Sequence, residues 1–137
     1  MSIHSNFSGT WRADLTASRL RGPIPDGITA SVVHDESKLR IAMTIVTAGT
    51  PPSRIAFEVS ATGESSTNTV QGAKWVCRAR WIGRELLIHS DVNHAGRSMH
   101  LCDYWSTSDD GQRLTMEHRG DDLAGQITVF DRIGGAA

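Results

Sequence analysis

Apolar and polar residues alternate along most of this chain in short bursts with a period of two residues. The segment 38–47 shows the pattern clearly, because apolar residues occupy every second position: Leu39, Ile41, Met43 and Ile45. Such alternation is typical of a β-strand with one buried face. Helical spacing is almost absent, and the only candidate, 13–20, is short and fits a loop equally well. The pattern therefore indicates an all-β protein.

Strands separated by short turns fill the rest of the chain. We predict them at 28–34, 38–47, 53–60, 74–81, 86–92, 96–107, 112–119 and 124–133, with a weak strand inside 62–72. Turn residues recur between these segments, as they do in antiparallel barrels and sandwiches. We therefore predict an antiparallel up-and-down β-barrel of about 8–10 strands with little or no helix.

Length and composition fit one globular domain. The 137 residues carry a formal net charge of −1, with 39% hydrophobic and 21% charged residues. We expect a single domain over 1–137 whose ends, 1–6 and 134–137, are loosely held. The balanced charge argues against a nucleic-acid partner, and neither a membrane span nor a signal peptide is evident. Because Cys77 and Cys102 are too few for a disulfide framework, we expect free thiols and a cytoplasmic location.

A resemblance to a known superfamily adds to this interpretation. The segment FSGTW near the N-terminus resembles the opening strand of the calycin barrels, which include lipocalins and intracellular fatty-acid-binding proteins. The resemblance implies that Gly9 and Trp11 form a G-x-W motif closing one barrel end, with Arg132 stacked on the tryptophan. Segments 79–86 (ARWIGREL) and 105–115 (WSTSDDGQRLT) are similar to motifs of small bacterial lipocalin-like proteins. The likeness covers nearly the whole chain and implies a fold, with no common activity.

The alternation also predicts an acid and a base inside the barrel. Pairing the apolar faces of two late strands brings Trp105 and Met116 together inside, with Asp103 and His118 on the same faces. The tight turn at 108–111 places Asp103 opposite His118 or one diagonal step away, and both distances are within side-chain reach. An imidazole oriented by a carboxylate in an apolar pocket suits a general base or a hydrogen-bonding group for a ligand. In a third interpretation, the two side chains only hydrogen-bond to each other and fix the strand register.

Tryptophans and methionines form the rest of the predicted interior. The candidate ligand-binding residues are Trp75, Trp81, Trp105, Met43, Met99 and Met116. Each is also an ordinary core residue, although methionine adapts well to varied apolar ligands. Trp11 is expected to be structural.

The sequence also contains histidine and cysteine residues of the kinds that bind metals. His89, His94 and His100 fall close together in the sequence, near Cys102. The alternation places His100, Cys102 and Tyr104 on the outside, and the short spacings typical of zinc sites do not occur. We therefore expect neither a metal nor another cofactor. A reversed assignment of faces would bring these three residues into the cavity and favour a metal.

The predicted barrel is compatible with two main functions. The first is binding of a small hydrophobic molecule in the barrel cavity. The second is a cofactor-free enzyme, an isomerase, cyclase or hydrolase, acting on a hydrophobic metabolite, with His118 as acid/base and Asp103 orienting it. A filled barrel that serves as a dimerising structural domain is a third interpretation. The expected partners are a small hydrophobic ligand or substrate and, for the third interpretation, a second copy of the chain.

Overall fold

The structure is a computed structural model that describes residues 6–35 and 37–134. It is all-β, and within these ranges no helix occurs, which confirms the predicted fold class. The strands are β1 (Gly9–Ala13), β2 (Gly27–Asp35), β3 (Lys38–Val46), β4 (Ser53–Ser60), β5 (Ser66–Val70), β6 (Ala73–Ile82), β7 (Glu85–His94), β8 (Arg97–Thr107), β9 (Arg113–His118) and β10 (Ile127–Gly134).

All ten strands belong to one antiparallel sheet in the order β4-β3-β2-β1-β10-β9-β8-β7-β6-β5. Each strand pairs with its neighbours in sequence, except that β1 pairs with β10 and β4 does not pair with β5. The sheet curls until β4 and β5 face each other, which gives a nearly closed up-and-down barrel. The Asn68 side chain bridges this seam: its Oδ1 accepts from the Glu58 amide and its Nδ2 donates to the Glu58 carbonyl, both at 2.9 Å.

One end of the barrel is filled by aromatic side chains. Trp11 and Phe7 are fully buried, and the Trp11 indole Nε1 donates to the Phe7 carbonyl at 3.0 Å. The Arg132 guanidinium lies 4.3 Å from the centre of the Trp11 ring, as the resemblance implied. Trp81 stacks on Phe7 with ring centres 5.8 Å apart. We call this the closed end.

Two regions bear on the finer sequence predictions, the segment after β1 and the C-terminal end of the chain. The segment 13–20, for which the sequence allowed a short helix or a loop, contains the last residue of β1, a turn, and an isolated bridge from Arg19 to Ile127. Gly134, expected in a loosely held end, instead pairs with Thr10 across the β1–β10 ladder. Residues 1–5 and 135–137 lie outside the described residues. Throughout the described parts of the chain, no helix is long and apolar enough to span a membrane.

Candidate functional site

A cavity of about 400 Å³ lies at the end of the barrel opposite Trp11. Its wall is mostly apolar, with polar side chains that include Arg21, Asp103, His118 and Gln126. The lining residues that matter below are Met43, Phe57, Trp75, Asp103, Trp105, Met116, His118 and Leu123. Residues 20–25, between β1 and β2, contribute Leu20, Pro23 and Pro25 to the rim. The volume is within the roughly 300–1,000 Å³ typical of small-molecule pockets.

Four of the six candidate ligand-binding residues line this cavity: Met43, Trp75, Trp105 and Met116. The Trp75 ring stacks on Phe57 with centres 6.1 Å apart, which forms one apolar wall. Trp81 and Met99 lie elsewhere. Trp81 belongs to the closed end, and Met99 is 36% exposed at a strand end. Alternation along a strand assigns a side chain to a face, but the height of that side chain in the barrel depends on how the strands are staggered.

Asp103 and His118 face each other across β8 and β9, in the closer of the two predicted registers. The His118 Nε2 lies 2.9 Å from the Asp103 Oδ1. Both side chains line the cavity. His118 is nearly buried, whereas 21% of the Asp103 side chain is exposed. The pair therefore forms a polar spot on an apolar wall, with Asp103 as the more accessible member.

A second carboxylate, which the alternation pattern did not predict, hydrogen-bonds to the other side of the imidazole. Asp121 Oδ2 lies 2.9 Å from His118 Nδ1, and this side chain is fully buried. The same oxygen accepts from the Cys102 amide, while Oδ1 accepts from the Leu123 amide at 2.9 Å. Asp121 was visible in the sequence only as part of a Gly-Asp-Asp turn, which alone gives no indication of an inward-facing carboxylate.

The two carboxylates determine the charge of the imidazole. Burial by itself lowers the pKa of His118, but hydrogen bonds and charge from Asp103 and Asp121 outweigh it and raise the pKa to about 9. Burial likewise opposes ionisation of Asp121, yet the Cys102 amide and His118 hold the pKa of this carboxyl below its usual value of 3.8. At neutral pH the cluster is therefore an imidazolium between two carboxylates.

This charge state changes the chemistry available at the site. An imidazolium with both N–H groups engaged has no free lone pair, so His118 is poorly suited to act as the general base we expected. Asp103 keeps acceptor capacity toward the cavity, because a carboxylate has two oxygens and His118 uses one of them. The arrangement suits a ligand that donates a hydrogen bond.

The outer face of β8 carries His100, Cys102 and Tyr104, as the alternation predicts. The Arg119 guanidinium stacks over the Tyr104 ring at 4.2 Å. Cys102 is buried despite facing outward, because the rings of His89 and His100 lie against its thiol. This face is separate from the cavity.

No protein-family model matches this chain, and no curated protein is significantly similar to it. The function is therefore inferred from the geometry of the site itself.

Proposed function

We propose that this protein binds one small, mostly apolar molecule in the cavity of a calycin-like barrel. The observation that carries the proposal is the combination of a mostly apolar cavity of about 400 Å³ with the Asp103–His118 pair in its wall. Binding sites of this type use apolar area for affinity and a few polar groups for orientation. The two free cysteines fit a reducing compartment, so we place the protein in the cytoplasm.

Asp103 defines the polar end of the proposed ligand. The cluster of Asp103, His118 and Asp121 carries a net charge of −1 when the imidazole is protonated, and Asp103 is its accessible member. A hydroxyl or amine on the ligand donates to this carboxylate, whereas a ligand carboxylate placed against Asp103 is repelled. The stacked Trp75 and Phe57 rings suit a flat or branched apolar body.

Native mass spectrometry of the purified protein, followed by denaturing extraction, is the first test. A stoichiometric small molecule that contains a hydroxyl or amine supports the proposal. A protein free of small molecules that also shows no thermal shift with any apolar compound contradicts it, because an apolar cavity of this size binds some member of such a panel.

A matched pair of probes tests the role of Asp103. 2-Naphthol and 2-methoxynaphthalene have similar shapes, but only the naphthol donates a hydrogen bond. We expect the wild type to prefer the naphthol, and Asp103→Asn to lower that preference about tenfold, because bonds to charged groups contribute more than neutral ones. Binding is measured by probe fluorescence.

Asp109→Asn is the control for the probe experiment, since the Asp109 side chain is 99% exposed. This variant should keep the wild-type preference. An unchanged preference in Asp103→Asn would remove Asp103 from the binding site, even if both probes still bind in the cavity.

The same cluster supports a second candidate function, a cofactor-free isomerase, cyclase or hydrolase. In this alternative the Asp103 carboxylate accepts a proton from the substrate and becomes a carboxylic acid, while the His118 imidazolium, 2.9 Å away, holds Asp103 in position. Asp103→Ala separates the two functions. A binding protein loses modest affinity, whereas an enzyme loses on the order of 10²–10⁴ in rate when its acid/base group is removed.

A further inference from the structure

The outer surface of β7 and β8 carries two pairs of residues that face each other across the strands. His89 lies directly opposite Cys102, and Asp91 lies directly opposite His100. Because residues two apart on a strand share a face, the four side chains form one compact patch. The patch lies on the opposite side of the sheet from the cavity, so it is independent of the proposed function.

Three potential metal-ligand atoms meet in this patch. The Cys102 Sγ lies 3.3 Å from the His89 Nδ1 and 3.3 Å from the His100 Nε2. All three atoms lie within 4.8 Å of one another. Zinc bonds of about 2.3 Å to sulfur and 2.0–2.1 Å to nitrogen at tetrahedral angles would separate sulfur from nitrogen by about 3.5 Å. The observed separations match this spacing closely.

Asp91 adds a second feature that is typical of metal sites. Its Oδ1 lies 2.9 Å from the His100 Nδ1, so the carboxylate accepts a hydrogen bond from that nitrogen. The bond fixes the tautomer in which His100 Nε2 presents its lone pair toward Cys102. A carboxylate that orients a metal-binding histidine in this way is a recurrent arrangement around zinc.

We propose that His89, His100 and Cys102 bind a divalent transition-metal ion of the zinc type, with Asp91 orienting His100. Two imidazoles and a thiolate select borderline-soft ions over magnesium or calcium, which prefer oxygen. Three protein ligands leave a fourth position for water or another small ligand. On binding, the Cys102 thiol releases its proton to solvent and the thiolate sulfur donates an electron pair to the ion.

The surroundings of the patch support this assignment. His100 is exposed and His89 is half-buried, so an ion has access from solvent. An ion at this position would link β7 to β8.

Titration with Co²⁺ and Zn²⁺ under reducing conditions tests the proposal on the full chain. We expect one equivalent of Co²⁺ to produce a thiolate-to-cobalt charge-transfer band in the near ultraviolet, and Zn²⁺ to abolish the band by displacement. Mg²⁺ should have no effect. Cys102→Ser should lose the band, and His89→Ala and His100→Ala should each lower the affinity roughly 100-fold or more. Asp91→Asn should lower it by about 10–100-fold.

His94→Ala is the matched control, because His94 is an exposed histidine on the same strand as His89. It should bind Co²⁺ like the wild type. Circular dichroism confirms that each variant is folded, and the exposed His100 variant provides a test if Cys102→Ser fails to fold. Three results would each overturn the proposal: no saturable Co²⁺ binding, a band retained in Cys102→Ser, or equal loss of affinity in His94→Ala and His89→Ala.

Discussion

At the scale of single residues, Gly9 shows why the G-x-W motif needs its glycine. Gly9 has a φ of 139°, a conformation that residues with a Cβ rarely adopt. A Cβ at this position would also collide with the Arg132 guanidinium and lie 2.8 Å from the Gly134 carbonyl oxygen. The glycine therefore leaves room for the arginine that stacks on Trp11, and the motif is explained by packing at the closed end.

The charge of His118 makes folding stability depend on pH between about 6.5 and 9. Its pKa is raised from an ordinary 6.5 to about 9 in the folded protein. The stabilisation from its protonation is therefore complete below about pH 6.5 and is lost as the pH rises through about 9. The lowered pKa of Asp121 adds stability that is present above pH 3.8 and lost as the pH falls.

We expect the free energy of unfolding to fall between about pH 6.5 and 9, by up to the order of 3 kcal/mol, since one pKa unit corresponds to about 1.4 kcal/mol. The measurement is urea unfolding across this pH range. His118→Gln should be less stable at pH 6.5 and should show a flat profile over the same interval. A variant profile as steep as that of the wild type would mean that another group causes the pH dependence.

At the scale of elements, side chains hydrogen-bond to backbone groups at two strand edges where strand pairing stops. β9 ends at His118, and beyond that point Asp121 and Asp122 supply acceptors to the β8 amides of Cys102 and His100. On the far side of the barrel, Asn68 supplies both a donor and an acceptor to Glu58 where β4 and β5 do not pair. Unpaired strand edges are otherwise prone to pairing with other chains.

The Asn68 bridge provides a test of barrel closure. Asn68→Leu removes both hydrogen bonds to Glu58 and should lower the free energy of unfolding by about 1–3 kcal/mol, because it leaves polar backbone groups unpaired. Hydrogen exchange should accelerate at the amide of Glu58 in β4. Asn93→Leu, on the exposed surface of β7, is the control and should change both values little. Equal protection of Glu58 in the wild type and Asn68→Leu would show that the seam does not depend on this amide.

At the scale of the whole molecule, the barrel divides into a filled end and an open end. The fully buried Trp11 and Phe7 fill the closed end, while Trp75, only partly buried, stands in the cavity wall. Side chains that are completely packed contribute most to stability, because removing them leaves a cavity. Side chains that line open space remain available to a ligand.

Paired tryptophan substitutions should separate these two roles. Trp11→Ala should destabilise the fold by about 3–5 kcal/mol. Trp75→Ala should cost markedly less stability, because its ring is only partly buried, yet should weaken binding of 2-naphthol about tenfold or more. Thermal unfolding and probe fluorescence measure the two effects. Equal destabilisation by both substitutions would argue that Trp75 is an ordinary core residue.

The sequence alone determined the fold class and the face on which each strand residue lies, because alternation with a period of two is a local property of the chain. It also limited Asp103 and His118 to neighbouring positions, since a tight turn fixes the register of the strands it joins. Only the tertiary structure decided how far along the barrel axis each side chain lies. It therefore placed Trp75 in the cavity wall and Trp81 at the closed end.

Only the tertiary structure, too, brought Asp121 beneath His118 and gathered His89, His100 and Cys102 on one outer patch. The physical reason is that these contacts depend on how a loop folds back and how two strands are aligned. Neither leaves a periodic trace in the sequence. The barrel is therefore specified locally, whereas its charge cluster and its candidate metal site arise from long-range packing.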